Sequence, residues 1–84
     1  MNNIDHLIKM ANSIGDFFEA MPDRQEGLDG IADHIKKFWE PRMRTAMLDF
    51  LAEHPDGRGQ EAQLSDIVKQ AIVSHRELLA PKVH

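Results

Sequence analysis

The sequence of 84 residues contains no cysteine and no tyrosine, and its apolar residues form no long uninterrupted run. Without cysteine, the chain cannot form disulfides, thiolate metal sites or cysteine-ligated iron–sulfur clusters. No apolar stretch approaches the roughly 20 residues that a transmembrane helix needs. The segment that begins at Met1 also lacks the basic start and apolar run of a signal peptide. We therefore expect a soluble, cytoplasmic protein without membrane contacts.

The charge and length of the chain limit the kinds of partner it can bind and the number of domains it can form. It carries 10 basic and 14 acidic side chains, for a formal net charge of −4. Neutralisation of phosphates by Lys and Arg supplies much of the affinity for nucleic acids, so this balance disfavours nucleic acid as the main partner. A chain this short forms a single domain, residues 1–84, whose core gives only a few kcal/mol of stability. A partner subunit is one usual supplement to such a core.

Residues 4–20 have the spacing of a helix with an unusually wide apolar face. Its polar side chains recur at i, i+4, i+7, i+11 and i+14, in one narrow stripe. The remaining apolar arc exceeds the roughly 100° that contact with one core requires. Gly15 lies on this arc and costs about 1 kcal/mol relative to Ala, which indicates close approach of another backbone. Two interpretations stay open: a central helix wrapped by its own chain, and a helix that also faces another subunit. The polar stripe consists of Asp5, Lys9, Asn12, Asp16 and Glu19.

Proline and glycine divide the rest of the chain into further helices. Pro22 ends the first helix, Asp23 is placed to cap a second over 24–39, and Pro41 suits the first position of a third over 41–53. A single helix kinked at Pro41 is the alternative. The Pro-Asp-Gly turn of residues 54–59 precedes a last helix over about 62–80. Short connections between helices predict an all-α fold, a small antiparallel bundle of three to four helices.

The residue types used in catalysis and metal binding lack the spacing that either function needs. None of the five His residues forms an H-x-x-x-H or H-E-x-x-H motif, which would place two ligands on one helix face. No serine lies in a nucleophile elbow, and no phosphate-binding glycine loop is present. We expect no enzymatic activity, metal site or cofactor in this chain. His75 is predicted to be a half-buried core side chain.

Residues 34–44 form a basic, aromatic corner in this acidic chain. Residues 36–44 contain four basic side chains and one acidic side chain, together with Phe38 and Trp39. Three interpretations are open: solvated charge near a helix end, contact with nucleic-acid phosphates, or docking on an acidic or polar protein surface. We favour docking, because Trp and Arg are the side chains that most often dominate interface energy.

Three stretches of the sequence resemble a known family. They are MANSIGDFF at residues 10–18, PDR at 22–24 and IADHIKKFWEPRMR at 31–44. They resemble the delta subunit (FdsD type) of soluble NAD-dependent, molybdenum- or tungsten-containing formate dehydrogenases, whose pattern is MAN-x-I-x-x-FF, a Pro-Asp-Arg-like turn and I-x-x-H-x-x-x-FW-x-PRMR. The resemblance covers roughly residues 7–53. It is fairly specific, because generic helical bundles do not produce F-W-x-P-R-M-R.

This resemblance implies a non-catalytic accessory subunit of a bacterial, cytoplasmic oxidoreductase complex. In such complexes the partner subunits carry the bis-molybdopterin guanine dinucleotide centre, the iron–sulfur clusters, FMN and the NAD site, whereas the delta subunit carries no cofactor. Assembly, stability and activation of the holoenzyme remain open as its role.

By motif match, the resemblance also implies a partner-binding surface. We expect Phe38 and Trp39 as its anchors, and we expect Arg42 and Arg44 to pair with carboxylates, backbone carbonyls or a cofactor phosphate. The competing hypotheses are a stand-alone homodimer and a small regulator that binds nucleic acid. The partner-binding residues would be Asn12, Gly15, Phe17, Phe18, His34, Phe38, Trp39, Pro41, Arg42, Met43 and Arg44.

Overall fold

The computed structural model describes residues 3–81, and the elements in this range are helical. The helices are α1 (Asn3–Glu19), α2 (Arg24–Phe38), α3 (Pro41–Glu53), α4 (Asp66–Ser74) and α5 (Arg76–Leu79). The β pairing found in the described range is a single bridge between Arg58 and Gln63. The predicted all-α fold is confirmed, and the first three helices begin and end within one residue of their predicted bounds. No helix in this range is long and apolar enough to cross a lipid bilayer.

The turn before α2 and the corner before α3 form as their residue types dictate. The Asp23 carboxylate accepts a hydrogen bond of 2.9 Å from the Gln25 backbone N–H and so caps α2. At the corner, Trp39 and Glu40 have extended backbones, with ψ of 136° and 152°, and Pro41 begins α3. This conformation is the one that a residue preceding proline favours. α2 and α3 are therefore two separate helices rather than one kinked helix.

The predicted last helix differs from the structure at its start and in its middle. α4 begins at Asp66 because residues 63–65 are held in an extended conformation by Asn12, whose side-chain amide donates to the Gln63 carbonyl and accepts from the Ser65 N–H, both at 2.9 Å. The helix then breaks at His75, which separates α4 from α5. The side chain of His75 is half-buried, as predicted.

The core lies between the inward faces of all five helices. α1 packs against α2, α3 and α4, and α2 packs against α1, α4 and α5. Two members of the polar stripe of α1 belong to this packed region: Asp5 is buried and accepts from the Glu61 backbone N–H at 3.2 Å, and Asn12 holds residues 63–65. The wide apolar arc of α1 is thus mostly covered by the chain itself, while its outer edge stays exposed. The buried apolar side chains are Leu7, Ile8, Ala11, Leu28, Ile31, Ala32, Ile35, Trp39, Met47, Phe50, Leu51, Leu64, Ile67, Val68, Ala71, Ile72 and Leu79.

Candidate partner-binding surface

An exposed group of ring-bearing side chains lies where the end of α1 meets the second half of α2. We call this group the aromatic patch: Phe17 and Phe18 of α1, His34 and Phe38 of α2, and the neighbouring Ile14. Phe17 is 73% exposed and Phe38 is 70% exposed, more than any other large apolar side chain in residues 4–81. Large aromatic side chains are normally at least half-buried. Exposed apolar patches are typical of interaction surfaces, which makes this group the candidate site.

The rings of the aromatic patch support one another in two pairs. The Phe17 and Phe18 rings meet edge to face, with centroids 5.0 Å apart and an interplanar angle of 88°. The His34 and Phe38 rings, one turn apart on α2, have centroids 4.6 Å apart. An open groove between the two helices is lined by Ile14, Phe17, Phe18 and His34. Paired rings have less conformational freedom than isolated side chains, which lowers the entropy that binding would cost.

The glycine at position 30 explains how the aromatic patch is built. The Phe18 ring lies directly over Gly30, and a Cβ atom at that position would overlap the ring atoms Cε1 and Cδ1. Gly30 therefore provides the space on α2 into which Phe18 folds. Because successive residues on a helix point about 100° apart, this orientation leaves Phe17 facing solvent.

A second surface lies beside the aromatic patch, between α1 and α3. It is lined by apolar side chains and by two that can carry positive charge, Arg42 and His6. Arg42 is exposed, and its side chain forms no ion pair or hydrogen bond with any residue between 3 and 81. It is thus a cation available to a partner. The apolar lining residues are Leu7, Met10, Met43 and Ala46.

Other predicted surface residues of the corner lie inside the fold. Trp39 is 5% exposed and belongs to the core, and Arg44 is 8% exposed. The Arg44 Nη1 donates a hydrogen bond of 3.1 Å to the Leu79 carbonyl at the end of α5. Its Nε is buried without a hydrogen-bond partner among residues 3–81. In the isolated chain Arg44 joins the corner to α5 while Trp39 packs in the core, and contact between these two side chains and a partner stays a prediction.

Asn12 and Gly15 also make internal contacts. Asn12 binds the backbone of residues 63 and 65, as described above. A Cβ atom at Gly15 would overlap the Cγ2 of Val68, so the absence of a side chain brings α4 close to α1. The close approach predicted from Gly15 is therefore made by side chains of α4. Contact between either residue and another protein is untested.

The structure therefore divides the predicted residues between two surfaces and the interior. Phe17, Phe18, His34 and Phe38 come together in the aromatic patch, while Arg42 and Met43 line the neighbouring groove. Pro41 is exposed and begins α3. The prediction from sequence did not name several residues that line or shape these surfaces, because helical periodicity does not show which positions stay exposed once the helices pack. The missed residues are His6, Leu7, Met10, Ile14, Gly30 and Ala46.

A carboxylate on α2, outside the aromatic patch, has a shifted pKa. The pKa of Asp29 is lowered, chiefly by a hydrogen bond of 2.9 Å from the Gln25 side-chain amide and next by the His75 ring at 2.9 Å. This carboxylate links α2 to the break between α4 and α5, away from the aromatic patch. No group of three or more His, Asp or Glu side chains in this range could hold a metal ion.

The fold is thus a small helical domain with an exposed aromatic patch and with an Arg42 side chain that has no partner within residues 3–81. Comparison with known families gives the particular assignment. The chain belongs to the family described as the NADH-dependent formate dehydrogenase delta subunit FdsD, whose model matches residues 6–72. Comparisons with curated proteins and with solved structures gave no match. The resemblance seen in residues 7–53 is thereby confirmed and extends through most of α4.

Proposed function

We propose that this chain is a non-catalytic accessory subunit of a cytoplasmic NAD-dependent formate dehydrogenase. It binds the catalytic assembly through the aromatic patch and promotes its assembly, stability or activation. The observation that carries this proposal is the exposure of Phe17 and Phe38 within the part of the chain that matches the family. Membership in a delta-subunit family supports the partner, and the patch supports the mode of contact.

The energetics of the aromatic patch suit an anchor in a protein interface. Covering two largely exposed phenylalanine rings removes apolar surface from water, which contributes roughly 25 cal/mol per Å². Interface energy concentrates in a few large side chains, and truncation of a dominant one typically costs about 2 kcal/mol or more. Because the rings are already paired, little side-chain entropy is lost on binding. Phe17 and Phe38 are thus the proposed anchors, with Phe18 and His34 as their supports.

Each of the remaining predicted residues either contacts the partner or supports the residues that do. Arg42 and Met43 contact the partner through the groove beside the patch. Trp39 and Arg44 hold the corner in shape from inside, so that Phe38 and Arg42 emerge at fixed positions. The other three have related supporting roles: Pro41 begins α3, while Asn12 and Gly15 hold α4 and the segment before it against α1.

The proposed subunit supplies neither catalytic residues nor cofactors to the reaction. Oxidation of formate and reduction of NAD⁺ take place on the partner subunits, which hold molybdopterin guanine dinucleotide, iron–sulfur clusters and FMN. The absence of cysteine from the sequence supports this division of labour. The chain influences activity only through the assembly that it joins.

Co-purification tests this proposal. A tagged chain is expected to recover formate dehydrogenase subunits together with formate-dependent NAD reduction. The double variant Phe17→Ala/Phe38→Ala should recover at least tenfold less of these subunits. Leu78→Ala is the matched control, because Leu78 is exposed and apolar but lies outside the matched range. All variants are first compared by circular dichroism. Unchanged recovery with the folded double variant would contradict the proposed contact.

A homodimer is the second candidate, since the same exposed rings could be covered by another copy. Sedimentation of the purified chain distinguishes the two. A stable dimer that the Phe17→Ala/Phe38→Ala variant disrupts, together with no recovery of dehydrogenase subunits, would replace the proposal. A regulator that binds nucleic acid is tested by binding to random DNA at low salt, where we expect none.

A further inference from the structure

A furrow runs along the length of α3, between this helix and α1, and the groove lined by Arg42 and Met43 is one half of it. Its two halves share Leu7 and Ala46 as lining residues, so they form one continuous surface. One half is lined by Arg42 and His6, and the other by Asp49, Glu53 and His54. The furrow is therefore positive at one end, apolar in its middle and negative at the other end.

The charges of this furrow lie on one face of α3. Arg42, Ala46, Asp49 and Glu53 are spaced at i, i+4, i+7 and i+11, so they follow one line along the helix. None of the three charged members forms an ion pair within residues 3–81. Their order also opposes the helix dipole, which favours anions near the start of a helix and cations near its end. The fold itself therefore gains little from this arrangement of charges.

We propose that the furrow binds an amphipathic helix of a partner protein. The helix presents a carboxylate to Arg42 and, seven to eleven residues away, a basic side chain to Asp49 or Glu53. On α3 these separations correspond to roughly 10–16 Å. Between its charges, the partner helix inserts apolar side chains at i, i+3/i+4 and i+7, the usual pattern for a helix in a groove. This proposal deepens the accessory-subunit function and rests on it.

The lining of the furrow suits this occupant. Met10 and Met43 form part of the apolar floor, and methionine adapts its shape to different apolar partners. Opposite charges at the two ends fix the direction in which a helix can lie, because the reversed orientation would bring like charges together. The aromatic patch would then anchor the partner, and the furrow would fix its direction.

A second copy of this chain fits the furrow less well than a foreign helix. Its own α3 face has the right charges for antiparallel pairing, since Arg42 of one copy would meet Asp49 or Glu53 of the other. However, the four residues on this line include no large apolar side chain. This line of a second copy therefore offers no large side chain to place over Leu7, Met10 and Met43, whereas an amphipathic helix does.

Site-specific photocrosslinking in the assembled complex tests this proposal. A photoreactive amino acid replaces Ala46, which lines both halves of the furrow, and the crosslinked segment is sequenced by mass spectrometry. Ala52, exposed on a different face of α3, is the matched control position. We expect Ala46 to capture a helical segment with an acidic and a basic residue seven to eleven positions apart. Arg42→Glu should lower the yield at least tenfold, and reversing the partner's acidic residue should restore it.

The outcomes separate this proposal from the one on which it rests. Capture of a second copy, of a non-helical segment or of a helix without that charge pattern would overturn it, as would equal capture from Ala46 and Ala52. If the complex forms but Ala46 captures nothing, the furrow proposal fails and the accessory-subunit proposal stands. If wild-type chain recovers no dehydrogenase subunit, both proposals fail.

Discussion

Phe38 and Trp39 are neighbours in the sequence, yet they lie in opposite environments. Phe38 is 70% exposed in the aromatic patch, whereas Trp39 is 5% exposed in the core. Phe17 and Phe18 show the same contrast in milder form, since Phe18 folds over Gly30 while Phe17 faces solvent. Each consecutive aromatic pair thus combines one exposed ring with one ring that packs against the fold. A sequence motif shared with a family can therefore contain both residues that build the fold and residues that are left free for a partner.

The largest expected effect on stability comes from truncating Trp39, and truncation of its neighbour Phe38 serves as the comparison. Trp39→Ala should lower the free energy of unfolding by about 3–5 kcal/mol, because it removes a buried ring and leaves a cavity. Phe38→Ala should change it by only about 0.5 kcal/mol, as is usual at the surface. Urea unfolding followed by circular dichroism measures both. Similar losses of stability in the two variants would break the comparison.

Two glycines provide a second, smaller test of the same contrast. Gly15→Ala should lower stability by about 1–3 kcal/mol, because the new methyl group overlaps Val68, a fully buried and stiff β-branched side chain. Adding Val68→Ala should relieve the overlap, so the two substitutions should not be additive. A gain in stability from Gly15→Ala would show that α4 moves away without cost.

At Gly30 the same substitution should act mainly on binding. Its new methyl group meets the Phe18 ring, which is half-buried and can turn toward solvent. We therefore expect Gly30→Ala to cost less stability than Gly15→Ala while weakening recovery of the partner, because the aromatic patch is rearranged. Unfolding and co-purification of the same two variants measure these effects. The reverse ranking in both measurements would contradict the assigned roles.

The sequence predicts the first three helices well because their boundaries depend on local chemistry. Pro22, Asp23 and Pro41 act on their immediate neighbours, and the residues between them keep a helical period. The start of α4 depends instead on Asn12. This side chain binds Gln63 and Ser65, which lie 51 and 53 positions further along the sequence. Periodicity cannot reveal such a contact. It therefore placed the start of this helix about four residues too early.

The candidate site was predictable in its residue types but not in their orientation. The aromatic residues and Arg42 were singled out by composition and by the family resemblance. Which ring of each pair faces outward depends on Gly30 and on the packing of α2, which become visible only when the helices are assembled. Arg44 illustrates the limit, since its charge suggested a surface role but its guanidinium reaches the Leu79 carbonyl inside the fold.

The smallest expected effect concerns Asp29, on the side of α2 away from the aromatic patch. Its pKa lies below the ordinary value of 3.8, mainly because of the hydrogen bond from Gln25 and next because of that from His75. A carboxyl group whose pKa is lower in the folded state stabilises the fold above its unfolded-state pKa. That contribution is lost as the pH falls from about 4 through the lower folded-state value. Asp29→Asn should therefore differ most from wild type at neutral pH and converge with it in acid.

The ranking of these two hydrogen bonds can be tested by NMR titration of the Asp29 carboxyl carbon. Wild type should titrate with a midpoint below 3.8. Gln25→Leu should raise the midpoint more than His75→Leu does, because the hydrogen bond from the Gln25 side chain is the larger cause of the lowered pKa. Binding to the dehydrogenase should be unaffected by either change, since Gln25 contacts Asp29 and His75 lies at the break between α4 and α5, away from the aromatic patch. If either variant lost as much binding as Phe17→Ala/Phe38→Ala does, the partner would also contact the region around Asp29. The contrast between one face for binding and another for folding would then no longer hold.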